Sequence, residues 1–311
     1  MSKEYILITG ANGFIGQSLV KLLREKNIKV RSVVRSNPTP SDIAVGNMSS
    51  ATDWAEVLKH VDVVIHTAAR AHVLNDSAAD PLSEFRAVNV AATQKLIQDA
   101  YEAGVKRFVF LSSIGVLGNK THGTAFNEAS EVAPVDMYAI SKKEAEQVVI
   151  EQCKRLNMEY VIVRPVLVYG ATAPGNFGLL LKLAASGLPL PFNLLKQKRN
   201  LLALDSLVDL LVLCAQAPNA ANQVFVVADD EQLNLSDIIA NLRFGMSRTK
   251  RLFAFPSSLL HFGCILIGRG ATFDKLNCEL LVDNAKAKRM LGWQPRPAQE
   301  ELRKAGADYI V

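Results

Sequence analysis

Tyr138 and Lys142 stand four residues apart in a helical run, so their side chains share one helix face. A free tyrosine titrates near ~10, and roughly three units of lowering, on the order of 4 kcal/mol, make it a proton donor and acceptor near neutrality. An adjacent ammonium favours the phenolate and supplies part of that shift. Taken alone, the pair also suits an exposed helix carrying Tyr and Lys by chance. Ser113 narrows the reading. It follows an apolar strand, at the edge where ligands bind in open sheets, and its hydroxyl can both donate and accept. Such a serine can hold a substrate hydroxyl or carbonyl against the phenol.

A third feature names a ligand class. The run Tyr5-Ile-Leu-Ile-Thr-Gly empties into Gly10-x-x-Gly13-x-x-Gly16, and a helical pattern starts at once with Phe14 and Ile15. Gly10 permits the tight turn, Gly13 the approach of a pyrophosphate, and Gly16 close packing of helix on strand. The phosphates of a dinucleotide would rest on the helix N-terminus.

These residues need a scaffold, and the chain supplies alternating elements. Short apolar strands are expected at 4–9, 29–34, 62–66, 107–112 and 159–163, with helices at 14–26, 52–59, 81–103 and 138–156. Asp80-Pro81 reads as a helix start and Gly104 as a helix end. The alternation predicts an α/β fold: a Rossmann-like, doubly wound parallel sheet with its crevice at the carboxyl ends of the strands. After Gly170 a Gly/Pro/Ala loop opens a smaller, mostly helical lobe. Helices are expected there at 177–186, 205–216, 235–244 (with Ser236 as cap), 256–267, 284–291 and 298–309. Residues 1–170 are thus the dinucleotide-binding unit. Residues 171–311 are an interleaved substrate lobe, with a strand near 224–228 returning to the sheet.

With 311 residues and 49% hydrophobic content, the chain can bury a large core. Its net charge of +5 is spread without a Lys/Arg tract, which speaks against a nucleic-acid partner. Four widely spaced cysteines and five histidines show no metal or disulfide spacing; reduced thiols and a cytoplasmic location are expected, and no secretory leader. The apolar stretch Leu259 to Ile267 is too short for a transmembrane segment, although such a stretch can lie in a membrane interface.

Taken together, the motifs resemble the extended short-chain dehydrogenases/reductases of the NAD-dependent epimerase/dehydratase family. The matching pieces are Thr9 to Gly16, His66-Thr-Ala-Ala69, Asn89-Val-Ala-Ala-Thr93, Ser112 to Gly118, Tyr138-Ala-Ile-Ser-Lys142, Arg164 to Gly170, Arg199 to Asp205 and Leu291-Gly-Trp-Gln-Pro295. The resemblance implies hydride chemistry on nucleotide sugars, as in UDP-glucose 4-epimerase-like members. It makes Tyr138 the acid/base, has Lys142 tune it and hold the nicotinamide ribose, and puts Ser113 on the reacting sugar oxygen. Ala68 and Ala69 would line the cofactor, with Asn89 in support and Pro165 beside the nicotinamide. Asn176 and Arg199 would reach the substrate diphosphate, with Lys275 as a further phosphate contact. Leu117, Leu167 and Asn47 stand where many members have Tyr, Asn and an adenine-contacting Asp, the last followed here by Met48. These departures resemble a surface-polysaccharide branch acting on UDP-N-acetylated 6-deoxyhexoses, either as 4-ketoreductases or as 4-epimerases. A homodimer through helices 81–103 and 138–156 is also implied.

The second strand ends at Arg35, where an acidic residue would accept from the ribose 2′-OH of NAD. A guanidinium accepts nothing but welcomes a 2′-phosphate, which favours NADP over NAD. A 4,6-dehydratase would need carboxylates beside the serine, where Ile114-Gly115 stands. A non-catalytic nucleotide sensor on the same fold is the other-class alternative.

Overall fold

Strands that are apolar on both faces must be covered on both, and here they are. The computed structural model describes residues 5–71, 80–266, 268, 270, 273–274 and 277–309. One seven-stranded parallel sheet runs in the order β3-β2-β1-β4-β5-β6-β9. Its members are β1 (Tyr5–Thr9), β2 (Val30–Val34), β3 (Asp42–Ala44), β4 (Val61–His66), β5 (Arg107–Leu111), β6 (Glu159–Pro165) and β9 (Gln223–Val227). Strand order reverses between β1 and β4, so the crevice opens beyond Thr9 and His66. The edge strand β3 carries no sequence signal: it is three residues long and two are exposed.

Helices α1 (Phe14–Glu25) and α6 (Leu204–Gln216) cover one face, packing Leu19 and Leu23 with Leu207 and Leu211. The other face is covered by α3 (Ala92–Glu102) and α4 (Met137–Arg155), whose Leu96, Ile97 and Val149 meet Phe108 and Phe110. Helix α2 (Pro81–Arg86) begins as expected, Asp80 Oδ1 accepting from Ser83 N at 3.2 Å. A wide π-type turn at Ala87–Ala91 joins it to α3.

Two expectations fail. Residues 52–59 form turns instead of a helix. Arg31 Nη1, from β2, donates to the carbonyls of Val57 at 2.8 Å and Lys59 at 2.7 Å, which fixes this turn against the sheet. The cap of α7 (Leu235–Gly245) is Asn234, in a capping box with Asp237; Ser236 lies inside the helix and donates to Asn234 Oδ1 at 2.6 Å.

Beyond β6 the chain crosses into the lobe through a two-stranded parallel ribbon, β7 (Val168–Tyr169) with β8 (Leu202–Ala203). The lobe core packs α5 (Gly175–Ala185) and α7 with α10 (Ala298–Ala307), and Phe14 from α1 and Leu167 pack against it. Helices α8 (Ser257–Leu266) and α9 (Ala285–Leu291) follow α7 in the chain.

Candidate active site

The glycine turn shapes one wall of a cleft of about 480 Å³. Gly10 adopts φ +69°, and a Cβ there would lie 3.0 Å from Ala68. A Cβ on Gly16 would collide with the Gly10 carbonyl oxygen. Gly13 is the N-cap of α1 and offers no side chain, so the first-turn N–H groups face the cleft beside Phe14 and Ile15. Across the cleft α5 starts from Pro174, again with no side-chain cap, and Asn176 in its first turn lines the same space. Two helix N-termini therefore open on one cleft, and each favours negative charge.

Between them stands α4. Asp136 Oδ1 accepts from Ala139 N at 2.9 Å and fixes the helix start, which sets Tyr138 in the first turn. Lys142, one turn on, is buried, with Nζ 4.0 Å from the centroid of the Phe110 ring. Ser113 begins a short 3₁₀ turn and accepts from Gly115 N at 3.1 Å. All three side chains line the cleft, with Pro165 and Ala69.

Behind this surface a directional hydrogen-bond chain ties the elements together. Thr93 Oγ1 donates to the Asn89 carbonyl at 2.8 Å and so accepts from His66 Nε2 at 3.0 Å. Thr9 Oγ1 then donates to His66 Nδ1 at 2.7 Å. Burial, reinforced by the charge of Lys142, pushes the His66 pKa down to about 3, so the imidazole is neutral and relays orientation only. Asn89 continues the chain: its Nδ2 donates to Ser141 Oγ at 2.9 Å, and Ser141 Oγ donates to the Tyr138 carbonyl at 2.8 Å. Asn89 Oδ1 also accepts from Arg70 N at 2.8 Å, so the wide turn at Ala87–Ala91 clamps the segment after β4.

The electrostatics correct one expectation. Burial, with Asp136 adding to it, pushes the Tyr138 phenol up to about 12 instead of lowering it. Burial also pushes the Lys142 amine down to about 7, against an upward pull from Glu146. The low-dielectric surroundings disfavour both charged forms. The fold therefore leaves room for added positive charge to lower the phenol.

Arg199 is buried and lines the cleft, its guanidinium 3.8 Å from Cys278 Sγ; burial holds its pKa below the usual arginine value. Ala68 lies behind the Gly10 turn, and Asn89 lies beneath the cleft surface. Arg35, Asn47 and Met48 follow β2 and β3 beyond the cleft lining, Arg35 and Asn47 exposed and Met48 packed against the core. Lys275 lies outside the described residues. Sequence reasoning passed over Ser112, Asn119 and Asp136, which also line the cleft. Asp136 carried a readable signal as an Asp just ahead of a helix. Ser112 Oγ is buried without a hydrogen-bond partner, and Asn119 is placed only by the tertiary fold.

The cradle of Gly10, Gly13 and Gly16 fits a dinucleotide pyrophosphate, since side chains there would fill the space. Among known proteins, the chain is 39% identical over 302 residues to UDP-glucose 4-epimerase of Vibrio cholerae, covering 95% of this chain and 92% of that one. It is 25% identical to N-acetyl-alpha-D-glucosaminyl-diphospho-ditrans,octacis-undecaprenol 4-epimerase of Escherichia coli O157:H7, covering 88% of this chain and 80% of that one. The solved UDP-glucuronic acid 4-epimerase of Bacillus cereus, in complex with NAD, shares the fold, with a TM-score of 0.77 at 21% identity over 98% of this chain and 96% of that one. The family model for the NAD dependent epimerase/dehydratase family matches residues 6–228. Because that match runs from the first strand of the sheet through the last, the chain belongs to the NAD-dependent epimerase/dehydratase family.

Proposed function

We propose that the cleft takes a nicotinamide dinucleotide on the α1 turn and a UDP-sugar on α5, and interconverts hydroxyl and ketone at the sugar's C4. The observation that carries this reading is the pair of uncapped helix N-termini opening on one cleft, with Tyr138, Lys142 and Ser113 between them. Two helix ends suit two diphosphates. When bound, the cofactor supplies the hydride donor or acceptor. The chain's own residues handle proton and position. Tyr138 Oη exchanges a proton with the C4 oxygen, Ser113 Oγ holds that oxygen, and Lys142 as a cation favours the phenolate. Arg199 and Asn176 hold the sugar diphosphate, and Lys275 stands as a further phosphate contact. Arg35, at the end of β2, favours NADP through the 2′-phosphate.

Both 4-epimerase and 4-ketoreductase outcomes use this arrangement. The Vibrio cholerae relative supports the first and Arg35 supports the second. A role in surface-polysaccharide precursor synthesis in the cytoplasm, by a homodimer joined through α2–α4, completes the proposal. The Escherichia coli relative's sugar is carried on undecaprenyl diphosphate, and the open apolar face of α8 favours that carrier as a second reading.

Incubation of the protein with NADPH and UDP-4-keto-sugars tests the assignment. Net loss of reduced-nicotinamide absorbance identifies a ketoreductase. Incubation with UDP-hexoses that yields C4 epimers without net loss identifies an epimerase. Absence of both, with cofactor bound, overturns the enzymatic reading in favour of a sensor.

A further inference from the structure

Helix α8 contains no Lys, Arg, Asp or Glu and buries none of its residues. Leu260 packs inward against the lobe core. On the outer side Leu259, Phe262 and Leu266 are 58%, 60% and 71% exposed, at spacings of three and four that align them on one face. Ile265 extends that face at 53% exposure. Exposed apolar surface of this kind marks an interaction site.

The surface beside it repeats the pattern. Leu190 N donates to the Arg251 carbonyl at 3.0 Å and Phe253 N to the Leu190 carbonyl at 3.1 Å, joining residues 187–195 to the chain that leads into α8. Leu188, Leu194 and Phe253 stand exposed on this ribbon. So do Arg248, Lys250 and Arg251. From Phe244 through Phe273 the sequence has no Asp or Glu, while it has Arg248, Lys250, Arg251 and Arg269. Just past this run, Asp274 Oδ1 lies 3.1 Å from His261 Nε2 on α8, a single carboxylate against the basic flank. An apolar helix face whose flanking charges are mostly cationic matches an anionic lipid surface in both hydrophobicity and charge. Ten residues of helix span only about 15 Å, half a hydrocarbon core, so α8 can lie in the interface but cannot cross it. Self-association through this face would bring two basic flanks together across a two-fold axis, which disfavours a second copy as the occupant.

We infer that α8 and the adjoining basic ribbon dock this protein on an anionic bilayer surface.

Flotation of the purified full chain with phosphatidylcholine–phosphatidylglycerol vesicles, and with phosphatidylcholine alone, tests the inference. The chain should float with the anionic vesicles and stay behind with the neutral ones or at high salt. Phe262→Glu combined with Leu266→Glu should weaken binding at least ~tenfold. Arg248→Glu and Lys250→Glu should each weaken it about fivefold or more. These positions are exposed, so melting temperature and turnover of a soluble sugar nucleotide should stay unchanged. Failure of the native chain to float overturns the inference, as does equal flotation of the variants. A Phe262→Glu change that splits a sedimenting dimer, with no flotation by the native chain, assigns the face to a second copy instead.

Discussion

Burial acts in opposite directions on the two groups at the start of α4, raising the Tyr138 pKa to about 12 and lowering that of Lys142 to about 7. If the phenol exchanges the C4 proton, Tyr138→Phe should cut turnover by ~10²–10⁴-fold while cofactor affinity stays within about twofold. Steady-state rates with a cofactor titration check this, and near-normal turnover removes the phenol from its role. Lys142 gives a stability prediction with a definite sign. Its folded pKa lies below the ordinary 10.5, so below about pH 7 the folded chain bears the full penalty of a buried cation. That penalty fades as pH rises from about 7 to 10.5, because the unfolded chain then binds more protons than the folded one. Lys142→Met should therefore stabilise the ligand-free protein near and below neutrality, by on the order of a few kcal/mol, and lose that advantage toward about pH 10. Thermal melts across this range decide it. A gain that grows with pH would contradict the assignment.

The elements holding these groups are locked by a buried ion pair. Arg164 of β6 donates from Nε and Nη2 to the two carboxylate oxygens of Glu146 on α4, at 2.9 and 2.6 Å, with both residues buried. Glu146 is also one turn from Lys142 and pulls its pKa upward. Glu146→Gln should cost about 3–5 kcal/mol, because Arg164 is left as an uncompensated buried charge. It should also lower the Lys142 pKa further and move the alkaline limb of kcat/KM to lower pH. Glu146→Leu with Arg164→Met should restore much of the stability and keep the pH shift, which separates the two roles. Much at this scale was legible beforehand. The apolar runs marked six strands because burial on both faces leaves no polar alternation, and the glycine spacing marked the turn because only hydrogen fits against the Gly10 carbonyl. The failures were tertiary. Nothing near residues 52–59 announces that Arg31 will take their carbonyls. The cap at Asn234 over Ser236 was a choice between neighbours that only backbone geometry settles. The upward push on the ligand-free phenol was not legible, because spacing reports a neighbour's charge but not desolvation.

At the scale of the whole molecule, the sheet and the lobe depend on each other. The seventh strand, β9, pairs with β6 in register from Val161↔Gln223 to Pro165↔Val227, yet it lies more than fifty residues beyond Gly170, where the lobe opens. Helix α6, also from beyond Gly170, covers the sheet face carrying Leu111, Val161 and Val163 and shares that core with α1. In return Phe14, in the first turn of the glycine helix, packs against the lobe core. A fragment ending at Gly170 would expose the edge of β6 and strip α6 from an apolar face, and surface of that kind is poorly tolerated. Residues 1–170 alone should therefore fail to fold cooperatively, even though they carry the glycine turn, Ser113, Tyr138 and Lys142. The measurement is a circular-dichroism melt of that fragment beside the full chain, with dinucleotide added to each. The full chain should give a single transition that rises with cofactor, by about 2.7 kcal/mol at a hundredfold excess over Kd, and the fragment should give neither a sharp transition nor a shift. A cooperative, cofactor-stabilised fragment would show that the sheet stands without its lobe, and that the cleft is assembled from two independent parts.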